Sequence, residues 1–236
     1  MDFYERKDSN NYGVYQDSVF NMELTKSFLW MFIGLLLSGG TSYVIGNFFY
    51  EYLSSGMIMF CIIAEMALVI LLNLRLKKMS YVASVLTFIG YSILNGVTLS
   101  TIFLVYNIGS IVMAFMLSAV FFGSMAVYGL VTKNDLSSLG SMLICGLVSI
   151  VVLNIVNIFL KSSGLDLVLA YFGIAVFLGL TAYDIQRIKD MYKYNGNLVN
   201  GNMSIYAALI IYLDFINIFL EVLKILGNKS ISSKKD

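Results

Sequence analysis

The chain has 236 residues, of which 59% are hydrophobic and only 12% are charged, and its formal net charge at neutral pH is +1. Soluble domains carry about 25% charged residues, so this deficit, which extends along the whole chain, indicates a multi-pass membrane protein and excludes a soluble domain on an anchor. A net charge this small gives no reason to expect a nucleic-acid partner. The chain has no histidine, so pH sensing would fall to carboxylates, and its two cysteines lie in apolar runs that indicate buried side chains.

Seven apolar runs follow a polar, tyrosine-containing tail over residues 1–26, which does not resemble a cleavable signal peptide. A membrane-spanning helix needs about 20 apolar residues. The sequence therefore predicts a seven-helix transmembrane domain over residues 27–228 and a short polar tail over residues 229–236. The seven runs are Phe28–Phe49, Met57–Leu74, Val82–Val105, Ile108–Val131, Leu139–Leu160, Leu167–Tyr183 and Ile205–Leu226.

The sixth run, Leu167–Tyr183, is too short to span a bilayer by itself. It reaches an adequate length only if its helix continues through Asp184 towards Tyr192. That continuation would place Asp184 inside the helix.

Basic residues give the predicted orientation. With the N-terminus in the cytoplasm, ten Lys and Arg residues of the tail and loops lie on the inner side and only Lys161 lies on the outer side. This asymmetry agrees with the excess of basic residues in cytoplasmic loops. The lysines of the C-terminal end would lie outside and break that rule, so a six-span alternative with a re-entrant last segment stays open.

Two aspartates, Asp184 and Asp214, stand in otherwise apolar helical sequence. An ionisable group inside a bilayer costs about 2.5–3.5 kcal/mol on insertion scales and so indicates a functional site. The two residues are equidistant from Val199, which lies in a polar turn, so an antiparallel hairpin would bring their carboxylates to one depth. The alternative is that Asp184 only ends its helix and that Asp214 only bonds a neighbouring helix.

Two adjacent carboxylates cannot both ionise cheaply, so such a pair shares a proton at low pH and repels at high pH. Sharing and repulsion would control how closely the two helices pack. Ionised carboxylates are also ligands that suit calcium. Asp184 and Asp214 are therefore the candidates for a pH sensor and for a transient metal site.

Three further polar residues are candidates for lining an ion path, namely Glu65, Asn217 and Glu221. Glu65 lies within the second apolar run. Asn217 and Glu221 follow Asp214 by one and two helical turns, so the three share a face of the last helix. Lys224 lies one turn beyond Glu221 and can pair with it, which would give Glu221 a purely structural role.

Small residues recur along the runs where helices could approach closely in lipid. Asparagines within the runs, Asn95 among them, are predicted to bridge helices. The glycines are Gly90, Gly96, Gly123, Gly129, Gly140, Gly146, Gly173 and Gly179.

Four motifs resemble those of the Bax inhibitor-1 family of membrane proteins. They read GSMAVYGLVTKNDLSSLG from Gly123, LNGVTLS from Leu94, GLTAYDIQRIK from Gly179 and YLDFINIF from Tyr212. The last two are specific in both sequence and spacing. The chain is identified as a member of this family, of the bacterial type, from about the first span to the C-terminus; the tail is not covered.

The resemblance implies an all-α fold of seven transmembrane helices, with the last helix central and wrapped by the other six. It also implies a pH-sensitive calcium leak that is governed by a di-aspartyl unit, here Asp184 and Asp214, with Arg75 at the end of the second helix as a latch. Calcium would be the transported ion, and neither a tightly bound cofactor nor an enzymatic activity is expected. Many relatives have a Gly-Pro in the third span where this chain reads Leu99-Ser100-Thr101, so the kink that proline makes is not expected.

Other functions remain open from the sequence. Some bacterial relatives act as regulatory partners of a membrane protease or of another membrane complex, and the tail would serve that role here. An intramembrane aspartyl protease is disfavoured, because the chain has no proline for the Pro-Ala-Leu motif of those enzymes and no Gly-x-Gly before Asp214. A retinal protein is disfavoured because Lys224 is near the end of its helix. The expected location is a bacterial plasma membrane, with an intracellular eukaryotic membrane as the alternative.

Overall fold

The computed structural model describes residues 3–75, 79–195 and 201–232, and this part of the chain is all helical. Seven long helices are present, as predicted, together with one short helix, α4. A π-helical segment, Ile45–Phe49, and a 3-10 turn, Tyr50–Tyr52, extend the first helix. The helices are α1 (Phe3–Val44), α2 (Ser55–Arg75), α3 (Tyr81–Leu99), α4 (Ile102–Val105), α5 (Ile108–Val131), α6 (Ser137–Leu160), α7 (Ser163–Asn195) and α8 (Gly201–Ser232).

Five helical stretches of the described chain are long and apolar enough to cross a membrane, and α2 contains a shorter apolar segment, Gly56–Ile70. These stretches confirm the prediction of a multi-pass membrane protein. The crossing of all seven long helices and the orientation of the N-terminus stay predictions. The five stretches are Phe20–Phe49, Tyr81–Val105, Ile108–Val131, Ser137–Leu160 and Ser163–Lys193.

Helix α8 is buried on nearly all of its sides. Every residue from Ser204 to Leu209 is buried, and so are most of the residues from Ile211 to Leu223. Helices α1, α3, α5 and α7 pack against α8, whereas α2 packs against α3, and α6 packs against α7. Burial on all sides is typical of a helix inside a bundle. A wrap by all six other long helices stays a prediction.

Helix α7 continues without a break from Ser163 to Asn195. Asp184 therefore lies inside the helix, as the length of the sixth apolar run required, and the alternative in which Asp184 ends its helix is wrong. The turn around Val199, which was predicted to connect α7 to α8, lies outside the described residues.

The third span contains no proline, but its α-helix is interrupted at Ser100 and Thr101. Both residues have the φ and ψ angles of a 3-10 turn, −58° and −26° at Ser100 and −61° and −23° at Thr101. The Ser100 hydroxyl donates to the Val97 carbonyl at 2.6 Å, and the Thr101 hydroxyl donates to the Thr98 carbonyl at 2.9 Å. These side-chain bonds compete with regular helical bonding and produce the interruption without proline.

Most of the glycines in the spans mark close helix contacts, as predicted from their size. A β-carbon at Gly129 of α5 would lie 2.5 Å from the carbonyl oxygen of Ala182 on α7, and one at Gly96 of α3 would lie 2.7 Å from the carbonyl oxygen of Ser38 on α1. Gly90 and Gly123 are exceptions, since no atom lies within 4 Å of a β-carbon at either position. The close approach of α5 to α7 therefore depends on the small size of Gly129.

Replacing Gly129 by alanine should lower the unfolding temperature of the detergent-solubilised protein. The added methyl group must displace the backbone of α7, which costs about 1–3 kcal/mol, or several degrees for a chain of this size. The fluorescence of Trp30, the single tryptophan, can report the transition. Gly123→Ala, on the same helix, is the control and should keep or slightly raise the unfolding temperature. Equal unfolding temperatures for the two variants would contradict the close contact.

Candidate functional site

A partly open cavity of about 370 Å³ lies between α7 and α8, and side chains of α2 and α6 complete its wall. Its polar lining comes from both α7 and α8. Asp184 and Asp214, which were predicted to form a pair, line this one cavity. The other polar residues of the lining are Tyr183, Arg187, Tyr206 and Asn217.

Asp214 is the more deeply buried of the two aspartates, with 6% of its surface exposed, whereas Asp184 is half-buried. Their charges lie close enough to interact. Among the described residues, none forms a hydrogen bond with the Oδ2 atom of Asp214. An unpaired buried polar atom costs about 1–3 kcal/mol, and more when it carries charge, so this oxygen is an available acceptor for a proton, a cation or a hydrogen-bond donor.

Arg187 is the cation of this cavity. It lies one turn after Asp184 on α7, and its charge interacts with that carboxylate. Arg75, which the resemblance assigned as the latch, is exposed at the C-terminal end of α2. The two salt bridges found in the described part of the chain involve other residues. Arg187 was not predicted as a residue of this site, although its spacing of three residues from Asp184 is a signal that the two side chains share a helix face.

The other residues of the α8 face lie in different surroundings. Asn217 lines the cavity with Asp214. Glu221 is buried, its carboxylate accepts from the Lys224 ammonium at 3.1 Å, and its side chain packs against Gly173 of α7. Glu221 thus forms the ion pair with Lys224 that would give it a purely structural role, and it is not part of the cavity lining.

Glu65 is the centre of a separate polar cluster between α2 and α3. Its carboxylate accepts hydrogen bonds from the hydroxyls of Thr98 at 2.9 Å and Tyr91 at 3.3 Å, and from the side-chain amide of Asn95. The Tyr212 hydroxyl of α8 donates to the Asn95 amide oxygen at 2.7 Å. Asn95 therefore bridges α2, α3 and α8, which confirms its predicted role.

The Tyr212 hydroxyl also lies 2.6 Å from the Ser38 hydroxyl of α1. Tyr212 precedes Asp214 by two residues, about 200° around the helix, so the two side chains leave α8 on different sides. The Glu65 cluster and the aspartate cavity are consequently separate sites that share one helix.

A third polar cluster joins α1, α7 and α8 near the start of α8. Glu23 is 5% exposed, pairs with the Lys26 ammonium at 2.7 Å and accepts a hydrogen bond from the Ser204 hydroxyl. The hydroxyls of Ser27 and Tyr192 lie 2.8 Å apart. No sequence pattern distinguishes Glu23 from the other acidic residues of the tail, so its burial could not be predicted from the sequence.

Comparisons with known proteins agree with this architecture. The family model described as "Inhibitor of apoptosis-promoting Bax1" matches residues 21–231. This chain belongs to the Bax inhibitor-1 family. The inner membrane protein YbhL of Escherichia coli K12 is 42% identical over 207 residues, which cover 85% of this chain and 88% of that protein.

Two further bacterial relatives of the Bax inhibitor-1 family cover as much of the chain. An uncharacterized protein of Borreliella burgdorferi is 40% identical over 217 residues, covering 89% of this chain and 93% of that protein. The protein RP147 of Rickettsia prowazekii is 35% identical over 210 residues, with coverages of 87% and 89%. The family and the bacterial type inferred from the motifs are therefore confirmed.

Replacing Tyr212 by phenylalanine should destabilise the protein, because the buried Asn95 amide oxygen loses its donor. The expected loss in the free energy of unfolding is about 1–3 kcal/mol. Tyr171→Phe is the matched control, since Tyr171 of α7 is 53% exposed, and it should change stability by less than about 0.5 kcal/mol. Unfolding by heat in detergent measures both variants. A Tyr212→Phe protein as stable as the control would mean that the cluster does not stabilise the contact between α3 and α8.

Proposed function

We propose that this protein is a pH-sensitive leak for calcium ions, and that Asp184 and Asp214 form its proton-controlled gate. The supporting observation is the unpaired Oδ2 atom of Asp214 in a cavity that Asp184 also lines. A buried carboxylate in a membrane-spanning bundle is costly, and it is a candidate site for a proton or a cation. Membership of the Bax inhibitor-1 family supports the same proposal, because the resemblance to that family implies a calcium leak.

The gate acts through the packing of α7 against α8. When the two carboxylates share one proton, the short bond between them holds the helices together. When both carboxylates are ionised they repel, and each becomes a ligand for a hard cation such as calcium. The same two residues thereby sense pH and bind the transported ion for a short time.

The proposed path follows α8, which we place at the centre of the seven-helix bundle. Asn217 continues the path from Asp214, because both residues line the cavity. Glu65 and Glu221 join the path only in a conformation in which they leave their present partners, since three donors hold Glu65 and Lys224 holds Glu221. The carboxylates of Asp184 and Asp214 are thus free to bind an ion on this path, whereas those of Glu65 and Glu221 are bonded to other side chains.

A second candidate function is that of a regulatory partner of a membrane protease or of another membrane complex. Helix α1 begins at Phe3, whereas its apolar stretch begins at Phe20. The first 17 residues of the helix would extend about 25 Å from the span. With the N-terminus in the cytoplasm, as the basic residues predict, this extension offers a surface to a partner on that side.

Calcium flux into dye-loaded liposomes that contain the purified protein tests the proposal at pH 6, 7 and 8. The flux of the unaltered protein should depend on pH, and Asp184→Asn and Asp214→Asn should each remove that dependence, because an amide does not titrate. The control is Asp135→Asn. Asp135 lies in the exposed connection between α5 and α6, where the backbone N–H of Ser137 donates to its carboxylate and lowers its pKa, so it stays ionised over this range.

Asp135→Asn should retain the full pH response. A full response in either of the other two variants would exclude the gate. A protein that conducts no calcium at any pH would favour the partner function, and the next experiment would be to identify what binds the first 26 residues.

Arg187 and Arg75 can be compared in the same assay. A cation beside the pair favours the ionised carboxylate. Arg187→Gln should therefore move the midpoint of the pH response to higher pH, by about one unit for a lost interaction of ~1.4 kcal/mol. Arg75→Gln should leave the midpoint unchanged, because Arg75, unlike Arg187, does not line the cavity. A shift with Arg75→Gln and none with Arg187→Gln would support the latch role that the resemblance assigns to Arg75.

A further inference from the structure

A second cavity, of about 280 Å³, lies on the other side of α8, between α1, α5, α8 and the connection from α3 to α4. Its lining is apolar apart from the hydroxyls of Ser38, Ser42 and Tyr43. Phe215 and Phe219 of α8 form part of its wall and are 3% and 5% exposed. It has nearly twice the volume of a 150 Å³ apolar cavity that binds benzene, so it is large enough for a hydrocarbon ligand.

One buried hydroxyl of this cavity lacks a hydrogen-bond partner among the described residues. Ser42 is 2% exposed, and its Oγ atom has no hydrogen-bond partner among the described residues. Ser38, one turn earlier on α1, has a hydroxyl that donates to the carbonyl of Ser92 at 2.8 Å. Because an unsatisfied polar group costs several kcal/mol in a membrane, the cavity calls for an apolar ligand that also carries one acceptor.

The rim of the cavity lies on the outer surface of two apolar stretches. Gly39 of α1 is exposed, and so is Val112 of α5, which is 50% exposed. Both stretches are long enough to cross the membrane. What contacts this rim in a bilayer is therefore hydrocarbon chain and not water.

The depth of Ser42 fits the ester group of a lipid. The apolar stretch of α1 ends at Phe49, seven residues after Ser42. This spacing corresponds to about 10 Å of helix, which places the hydroxyl near the boundary between the hydrocarbon and the headgroups. The cavity extends from that level towards Leu35, two helical turns deeper.

We propose that this cavity binds one acyl chain of a membrane glycerophospholipid, with the Ser42 hydroxyl donating to the ester carbonyl of that chain. The chain enters between α1 and α5 past Gly39 and contacts Phe215 and Phe219. This site is separate from the aspartate cavity, and its existence does not depend on calcium conduction.

The test uses liposomes of phosphatidylcholine in which a fraction of the lipid carries a photoreactive diazirine at the middle of one acyl chain. After irradiation, mass spectrometry locates the lipid adducts on the full-length protein. Adducts are expected on Phe215 or Phe219, which are inaccessible except through the cavity. Phe159 of α6 is 81% exposed, and its adducts provide the reference for lipid at the protein surface.

Gly39→Phe and Gly40→Phe make a matched pair of variants. No atom lies within 4 Å of a β-carbon at either glycine, but only Gly39 lines the cavity. Gly39→Phe should reduce the α8 adducts roughly tenfold relative to those on Phe159, whereas Gly40→Phe should leave this ratio unchanged. Ser42→Ala should reduce it about fivefold, the effect of losing one hydrogen bond.

Three outcomes would overturn the proposal. The first is the absence of adducts on both phenylalanines of α8 while Phe159 is labelled. The second is an equal effect of the substitutions at Gly39 and Gly40. The third is a covalent dimer joined through this face under a bifunctional cross-linker, which would assign the cavity to a second copy of the chain.

Discussion

Polar groups in a bilayer need partners within the protein, and α8 is where this constraint is concentrated. Its Ser204, Tyr212 and Glu221 side chains each bond a partner, and these bonds involve α1 and α3 as well as α8 itself. In lipid, where no hydrophobic force draws helices together, such bonds and close packing determine which helices meet. Asp214 is the exception on this helix, because one of its oxygens is buried among the described residues without a partner.

The three polar clusters have different chemistry although each contains a buried or half-buried carboxylate. Glu23 has a cation and a hydroxyl, and Glu65 has three neutral donors. In the aspartate pair, the carboxylate of Asp214 interacts with that of Asp184, and the carboxylate of Asp184 interacts with the charge of Arg187. The carboxylates of Glu23 and Glu65 are bonded by side chains of other helices and tie those helices together, whereas the gate proposed above depends on two carboxylates that share one cavity.

Much of the fold could be predicted from sequence, because membrane spans are recognised by length and hydropathy. The seven long helices and the continuation of α7 through Asp184 followed from the lengths of the runs. The interruption after Leu99 could not be predicted from the absence of proline, since it depends on hydroxyl bonds to the backbone. In the site, Asp184 and Asp214 were recognised by their apolar context. Arg187 was not, since basic residues at the ends of spans usually contact headgroups, and only three-dimensional packing shows which of them faces a cavity.

The interruption between α3 and α4 differs in one respect from a proline kink. Proline lacks a backbone N–H group, so a helix that contains it can never restore the missing bond. Ser100 and Thr101 retain theirs, and the hydroxyl bonds that compete with the helix form and break with side-chain rotation. The interruption can therefore be undone by side-chain rotation. The segment beside the cavity that Ser42 lines can return to regular α-helix without any slow isomerisation, which a proline at the same place would not permit.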